Sequence, residues 1–182
     1  MPEQGLLTYA DLWSFPDDGL RRELLDGELV VSPSPFMRHQ EILLRLGVLF
    51  ANYVASHGGG RVFIAPLDVV LSDHNVLEPD IFFVADDRRE ILARGTHVFG
   101  APSLAVEVVS NSRMDRVRKR DIYARFGIPE YWVVDPDADR VEVYRLEGDR
   151  YAKPEVVESP DVLTYGPLPG LHIDLTELFA RD

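Results

Sequence analysis

Between about Arg38 and Ser56, apolar residues Ile42, Leu43, Leu46, Leu49, Phe50 and Tyr53 recur at three- and four-residue steps, and Gly58-Gly59-Gly60 follows. That spacing predicts a long amphipathic helix closed by glycine. Other segments follow a strand pattern. Glu23-Leu24-Leu25-Asp26-Gly27-Glu28-Leu29-Val30-Val31 sets Asp-Gly between two apolar runs, the signature of a tight hairpin. Strands are expected at Arg61 to Ala65, Leu67 to Leu71 and Asp80 to Val84, with the last two forming a hairpin through Ser72-Asp73-His74-Asn75. A short polar helix near Asp86 to Arg94 leads to a strand at Ser103 to Val109. A second helix fits Asp115 to Phe126, stopped by Gly127, before a buried strand at Tyr131-Trp132-Val133-Val134. The central order is helix, strand, strand, strand, helix, strand.

The flanks are simpler. Thr8 to Asp11 has the form of a capping box and opens a short helix ended by Pro16. Val141, Val143 and Tyr144, with a turn at Glu147-Gly148-Asp149, extend the sheet by a hairpin to Tyr151. A proline-rich stretch between Pro154 and Pro169 precedes a helix from Asp174 to Ala180, capped by Asp174. Neither repeats nor linkers interrupt this pattern, so residues 1–182 are expected to form one domain with its core at about 38–135.

Composition narrows the chemistry. The chain has no cysteine, which excludes disulfides, thiolate metal sites and cysteine nucleophiles. Its formal charge of −12 argues against a surface coated in basic charge for gripping phosphates. No basic and apolar leader occupies Met1 to Trp13 and no long apolar run occurs, so a soluble cytoplasmic protein without membrane contact is expected. Phosphate-loop, dinucleotide, paired-histidine zinc and nucleophile-elbow motifs are missing, and the five histidines lack ligand spacing.

Carboxylates remain. Of four Pro-Asp dipeptides, the one at Asp80 opens an apolar strand, Ile81-Phe82-Phe83-Val84, and precedes another strand with an acid inside it, Leu104-Ala105-Val106-Glu107-Val108-Val109. An ionised Glu107 in such a run needs a metal ion or a basic partner. Only Lys119 and Lys153 among 19 basic residues are lysines. Lys119 lies on the helix after Glu107, and lysine offers a compact charge with an adjustable pKa. Two acids and a lysine are the components of a magnesium-dependent phosphodiesterase site, because magnesium takes hard oxygen ligands and retains waters. Without metal, the two acids should repel one another and bind protons more readily. The structural alternatives are a turn role for Asp80, a buried pair with arginine for Glu107, a surface pair with Asp115 for Lys119, a packed or capping role for His39, and core packing for Tyr131 and Trp132.

Glu78-Pro79-Asp80-Ile81, Pro102 to Ser110, Asp115 through Lys119 to Tyr123, and Gly127-Ile128-Pro129-Glu130-Tyr131-Trp132-Val133-Val134-Asp135 together resemble the Uma-two family of bacterial endonucleases, within the PD-(D/E)XK restriction-endonuclease-like superfamily. Weaker likeness reaches back to Leu25-Asp26-Gly27-Glu28-Leu29, Pro35 and His39. The resemblance implies an α/β fold with a restriction-endonuclease-like core, a mixed sheet flanked by helices, carrying an N-terminal hairpin and C-terminal strands as extensions. It implies that Asp80, Glu107 and the main-chain carbonyl of Val108 bind magnesium or manganese. The motif lysine would fall on Val109, and Lys119 matches the relocated lysine of the family. His39, Asp115 and Tyr123 match family positions without an assigned step.

Arg113, Arg116, Arg118, Lys119, Arg120 and Arg125 oppose only Asp115 and Asp121 in their segment. A solvated helix face explains them, but Arg113, Arg116, Arg118 and Arg120 are also the candidates for contacting a nucleic-acid backbone. So few contacts predict weak, salt-dependent DNA binding unless a homodimer joins two patches. The expected function is metal-dependent endonucleolytic hydrolysis of DNA. The alternatives are a catalytically silent dimeric binding module of the same fold, or nucleotide or RNA hydrolysis at the same site.

Overall fold

The computed structural model describes residues 5–109 and 113–181, with the side chains of 113–116 outside that description. The capping box holds: the Asp11 carboxylate accepts from the Thr8 N–H and hydroxyl, both at 2.7 Å, and starts α1 (Tyr9–Leu12). The first hairpin joins β1 (Arg21–Leu25) to β2 (Glu28–Ser32), and Asp26 and Gly27 both take the positive φ that a two-residue turn requires. The long helix, α2 (Met37–His57), ends at Gly58 in a left-handed conformation and leads into β3 (Gly60–Ile64).

The expected pairing of Leu67–Leu71 with Asp80–Val84 is not formed. Instead β4 (Val69–Ser72) turns directly into β5 (Asn75–Leu77), and β6 (Ile81–Ala85) belongs to another sheet. The turn at Asp73-His74 is too short to skip residues, and Pro79, lacking an N–H, separates the two strands. The polar helix at 86–94 is a 3-10 helix over Asp86–Leu92. Next come β7 (Val98–Phe99), β8 (Leu104–Val108), α3 (Arg113–Arg125) and β9 (Glu130–Asp135), then β10 (Arg140–Glu147), β11 (Arg150–Tyr151) and β12 (Glu155–Glu158). The tail adds β13 (Val162–Thr164), β14 (His172–Asp174) and α4 (Leu175–Leu178), with the Asp174 carboxylate accepting from the Thr176 N–H at 2.7 Å.

A seven-stranded mixed sheet runs β11-β10-β9-β8-β6-β3, with β12 on β10, and a five-stranded sheet runs β2-β1-β5-β4-β7. Only β8 and β9 are parallel neighbours in the larger sheet, because α3 carries the chain across between them. Strand alternation assigns the faces. Leu104, Val106 and Val108 pack with Ile42, Leu46 and Phe50 of α2, while Ala105, Tyr131 and Val133 face Tyr123 of α3 and Leu25 and Leu77 of the smaller sheet. Glu107 shares the face of Ala105, and Glu23 shares that of Leu25, so both acids lie between the sheets. Among the described residues no helix is long and apolar enough to cross a membrane.

Candidate active site

Asp80 ends the crossing from β5 to β6, and its carbonyl accepts from the Ala65 N–H at 3.0 Å. β6 pairs with β8 only through Ile81–Phe83, which leaves the edge of β8 beyond Val106 open toward Asp80. The Val108 N–H fills that gap by donating to Asp80 Oδ2 at 2.8 Å. His39 Nε2, from the first turn of α2, lies 3.1 Å from the same oxygen. Asp80 Oδ1 instead receives Arg21 at 3.0 Å. The second acid is held in the same way. Lys119 and Tyr123, one helical turn apart on α3, donate to Glu107 Oε1 at 3.0 and 2.9 Å. Glu107 Oε2 lies 3.8 Å from the Arg21 guanidinium. Each carboxylate thus has one oxygen fixed by two donors and the other turned toward Arg21.

Glu23 completes the cluster. Its Oε1 accepts from Lys119 at 2.8 Å and from the Glu78 N–H at 2.8 Å. Arg21 also donates to the Glu78 carbonyl. Asp80, Glu107, Glu23, Glu78 and Lys119 are all buried, Lys119 to 7% exposure, which removes the surface-pair reading of that lysine. A cavity of about 510 Å³ opens beside them, bordered by Leu20, Arg21, Phe36, His39, Ile64 and the acids. Tyr131 and Trp132 are core residues, as expected.

Burial acts on every carboxyl here, and neighbours decide the outcome. Glu107 is raised by burial and by Asp80 and Glu23, against the pull of Lys119. Asp80 is not: burial pushes it upward, but the His39 contact and Arg21 hold it below the usual range. The expectation that both acids take up protons therefore holds for Glu107 alone. Glu23 is depressed by Lys119 and Arg21 despite burial, while Glu78 is pushed up to about 7, chiefly by burial. Burial would lower Lys119, yet Glu107 and Glu23 raise it above the ordinary lysine value, so it stays protonated. Tyr123 is raised by burial and by Glu107.

Sequence reasoning found Asp80, Glu107, Lys119, Tyr123 and His39, which the fold brings together around the open edge of β8. It missed Arg21, Glu23 and Glu78 as site residues. The available signal was Arg21-x-Glu23-x-Leu25, alternate positions of a strand whose inner face ends in a buried leucine. Arg118 donates to the Leu25 carbonyl at 3.1 Å and pairs with Glu28 at 2.9 Å, while Arg120 pairs with Asp121 at 2.9 Å. Neither borders the cavity. The side chains of Arg113, Asp115 and Arg116 lie outside the described residues.

Among the described residues no three acids or histidines converge as a preformed cation site. The donor set nevertheless fits a hard cation. Glu23 Oε2 and Glu78 Oε2 are buried without a hydrogen-bond partner, and the second oxygens of Asp80 and Glu107 both face one guanidinium. An extended residue presents its N–H and C=O to the same strand edge, so the Val108 carbonyl opens on the Asp80 side.

The model of the Uma2 family, described as "Putative restriction endonuclease", matches residues 8–176. The chain belongs to the Uma2 family. Its fold is shared with a crystal structure described as a "putative nuclease belonging to DUF820" from Anabaena variabilis ATCC 29413. That protein is 23% identical, with a TM-score of 0.80 over 95% of this chain and 97% of the other. No curated protein matches the chain. The match to the Uma2 model spans α1 to α4, so the β1–β2 hairpin that supplies Arg21 and Glu23 lies inside the family region.

Proposed function

We propose that this Uma2 member is a divalent-cation-dependent endonuclease that hydrolyses phosphodiester bonds in DNA. The observation that carries the reading is that Asp80 Oδ1 and Glu107 Oε2 both face one guanidinium, that of Arg21, with Lys119 fixed to Glu107. The descriptions of the family as a restriction endonuclease and of the structural neighbour as a nuclease support the same class. Asp80, Glu107 and the Val108 carbonyl would hold magnesium or manganese, whose Lewis acidity toward a phosphoryl oxygen and toward water supplies the chemistry.

The protein's own groups do the positioning. His39 and the Val108 N–H fix one oxygen of Asp80, and Lys119 and Tyr123 fix one oxygen of Glu107, leaving the second oxygen of each facing only Arg21. Lys119, kept protonated by two carboxylates, is a donor that stabilises developing negative charge and not a proton acceptor. The basic start of α3 would meet the phosphate backbone, and a homodimer would double that contact. One observation favours the silent-module reading: Arg21 stands between the two acids. The test is manganese-dependent cleavage of single-stranded, duplex and branched DNA at low salt, comparing the wild type with Asp80→Ala and Lys119→Ala at matched folding. Cleavage abolished by Asp80→Ala supports the nuclease. Absence of cleavage by the wild type, together with absence of manganese binding, supports the silent module.

A further inference from the structure

Arg21 comes from β1, outside the central helix-strand order, yet it touches all four acids of the cluster. Its guanidinium lies 3.0 Å from Asp80 Oδ1, 3.4 Å from Glu23 Oε1, and 3.8 Å from both Glu107 Oε2 and Glu78 Oε2. The fit is poor for a guanidinium fork, which makes two parallel contacts to one carboxylate where it is seated well. Its buried Nε has no hydrogen-bond acceptor. Lys119 makes an instructive contrast, with 2.8 and 3.0 Å contacts and a side chain only 8% exposed. Both side chains border the cavity, but Arg21 is 23% exposed, about three times as much as Lys119, and so has the wider route to solvent. With Arg21 and Lys119 as the two fixed cations facing four carboxylates, the cluster retains a formal excess of negative charge. The Asp80, Glu107 and Glu78 oxygens that Arg21 reaches are left unclaimed by His39, Val108, Lys119 and Tyr123, whereas Glu23 Oε1 is shared with Lys119.

We infer that Arg21 is an exchangeable internal cation: its guanidinium holds the converging oxygens of Asp80 and Glu107 in the metal-free protein and competes with the divalent ion for them. This inference rests on the reading of those two acids as cation ligands. Lys119 remains in place through the exchange because its partners, Glu23 Oε1 and Glu107 Oε1, are not the contested oxygens. Arg21 is therefore a positioning residue that sets cation affinity.

The experiment measures manganese binding by calorimetry to wild type, Arg21→Met and Asp80→Asn. Removing a charge-assisted contact that must otherwise be broken should tighten binding by about tenfold or more in Arg21→Met. In a parallel measurement that needs no variant, the Arg21 Nε–H resonance of the wild-type protein should shift during magnesium titration in step with saturation. Unchanged or weaker binding by Arg21→Met, or an Arg21 resonance unmoved at saturation, overturns the exchange. If Asp80→Asn abolishes binding while Arg21→Met gives no gain, the exchange fails and the cation site stands. If Asp80→Asn binds like the wild type, or neither wild type nor Arg21→Met binds, both fail.

Discussion

Glu23 shows how far a single side chain can hold this site together. It is fully buried, neutralises Lys119 and Arg21, and satisfies the Glu78 N–H. Glu23→Ala leaves Lys119 and that N–H short of partners, and should lower stability by about 3–5 kcal/mol in urea unfolding. Tyr123→Phe removes one hydrogen bond to a charged acceptor and should cost only about 1.5–3 kcal/mol. Glu78 makes stability depend on pH. Its carboxyl holds a proton up to about 7 in the fold but ionises near 4.5 when unfolded, so between those values the folded state binds more protons. Stability should therefore fall as pH rises from 4.5 through 7, by up to about 3 kcal/mol. In metal-free buffer, Glu78→Gln should remove that part of the fall; parallel pH profiles for the two proteins would refute the assignment. Asp80, Glu107 and Lys119 were legible in the sequence because each breaks a local rule: an acid opening or interrupting an apolar run, and a rare lysine. Arg21 breaks none, because an arginine near a strand start is ordinary until its neighbours in space are known.

At the level of elements, helices and strands followed from periodicity and turn chemistry, and the Asp26-Gly27 turn and the glycine stop at 58 formed as expected. The pairing of β4 did not follow, because apolar content marks Leu67–Leu71 and Asp80–Val84 as strands but says nothing of which sheet each joins. The two-residue turn and Pro79 were the deciding features. Their consequence is functional: had β6 paired with β4, Asp80 would not have reached the open edge of β8. Treating the β1–β2 hairpin as an extension also understated it, since its inner face forms one wall of the site. The β3–β6 pairing has its own sensitive point at Gly60, where a Cβ would lie 2.3 Å from the Val84 carbonyl oxygen and 2.5 Å from the Phe83 ring. Backbone cannot yield as a side chain can, so Gly60→Ala should destabilise by about 1–3 kcal/mol or more in denaturant unfolding.

For the whole molecule, charge is distributed against simple nucleic-acid binding. The chain carries −12 overall, and of the four arginines expected to contact a nucleic-acid backbone the two whose side chains are described, Arg118 and Arg120, are paired with Glu28 and Asp121 away from the cavity. DNA affinity should accordingly be weak and should fall between about 50 and 200 mM salt, as counterion release requires. Titrations at those two salt concentrations would check this, and equal affinities would contradict it. The central claim concerns Asp80 and Glu107, and it is tested most directly with Glu107→Gln, which keeps the shape of the side chain while removing its charge. The measurement is the rate of manganese-dependent DNA cleavage by wild type and Glu107→Gln, with both proteins shown to be folded. The account predicts cleavage by the wild type and its loss in the variant; equal rates would contradict it.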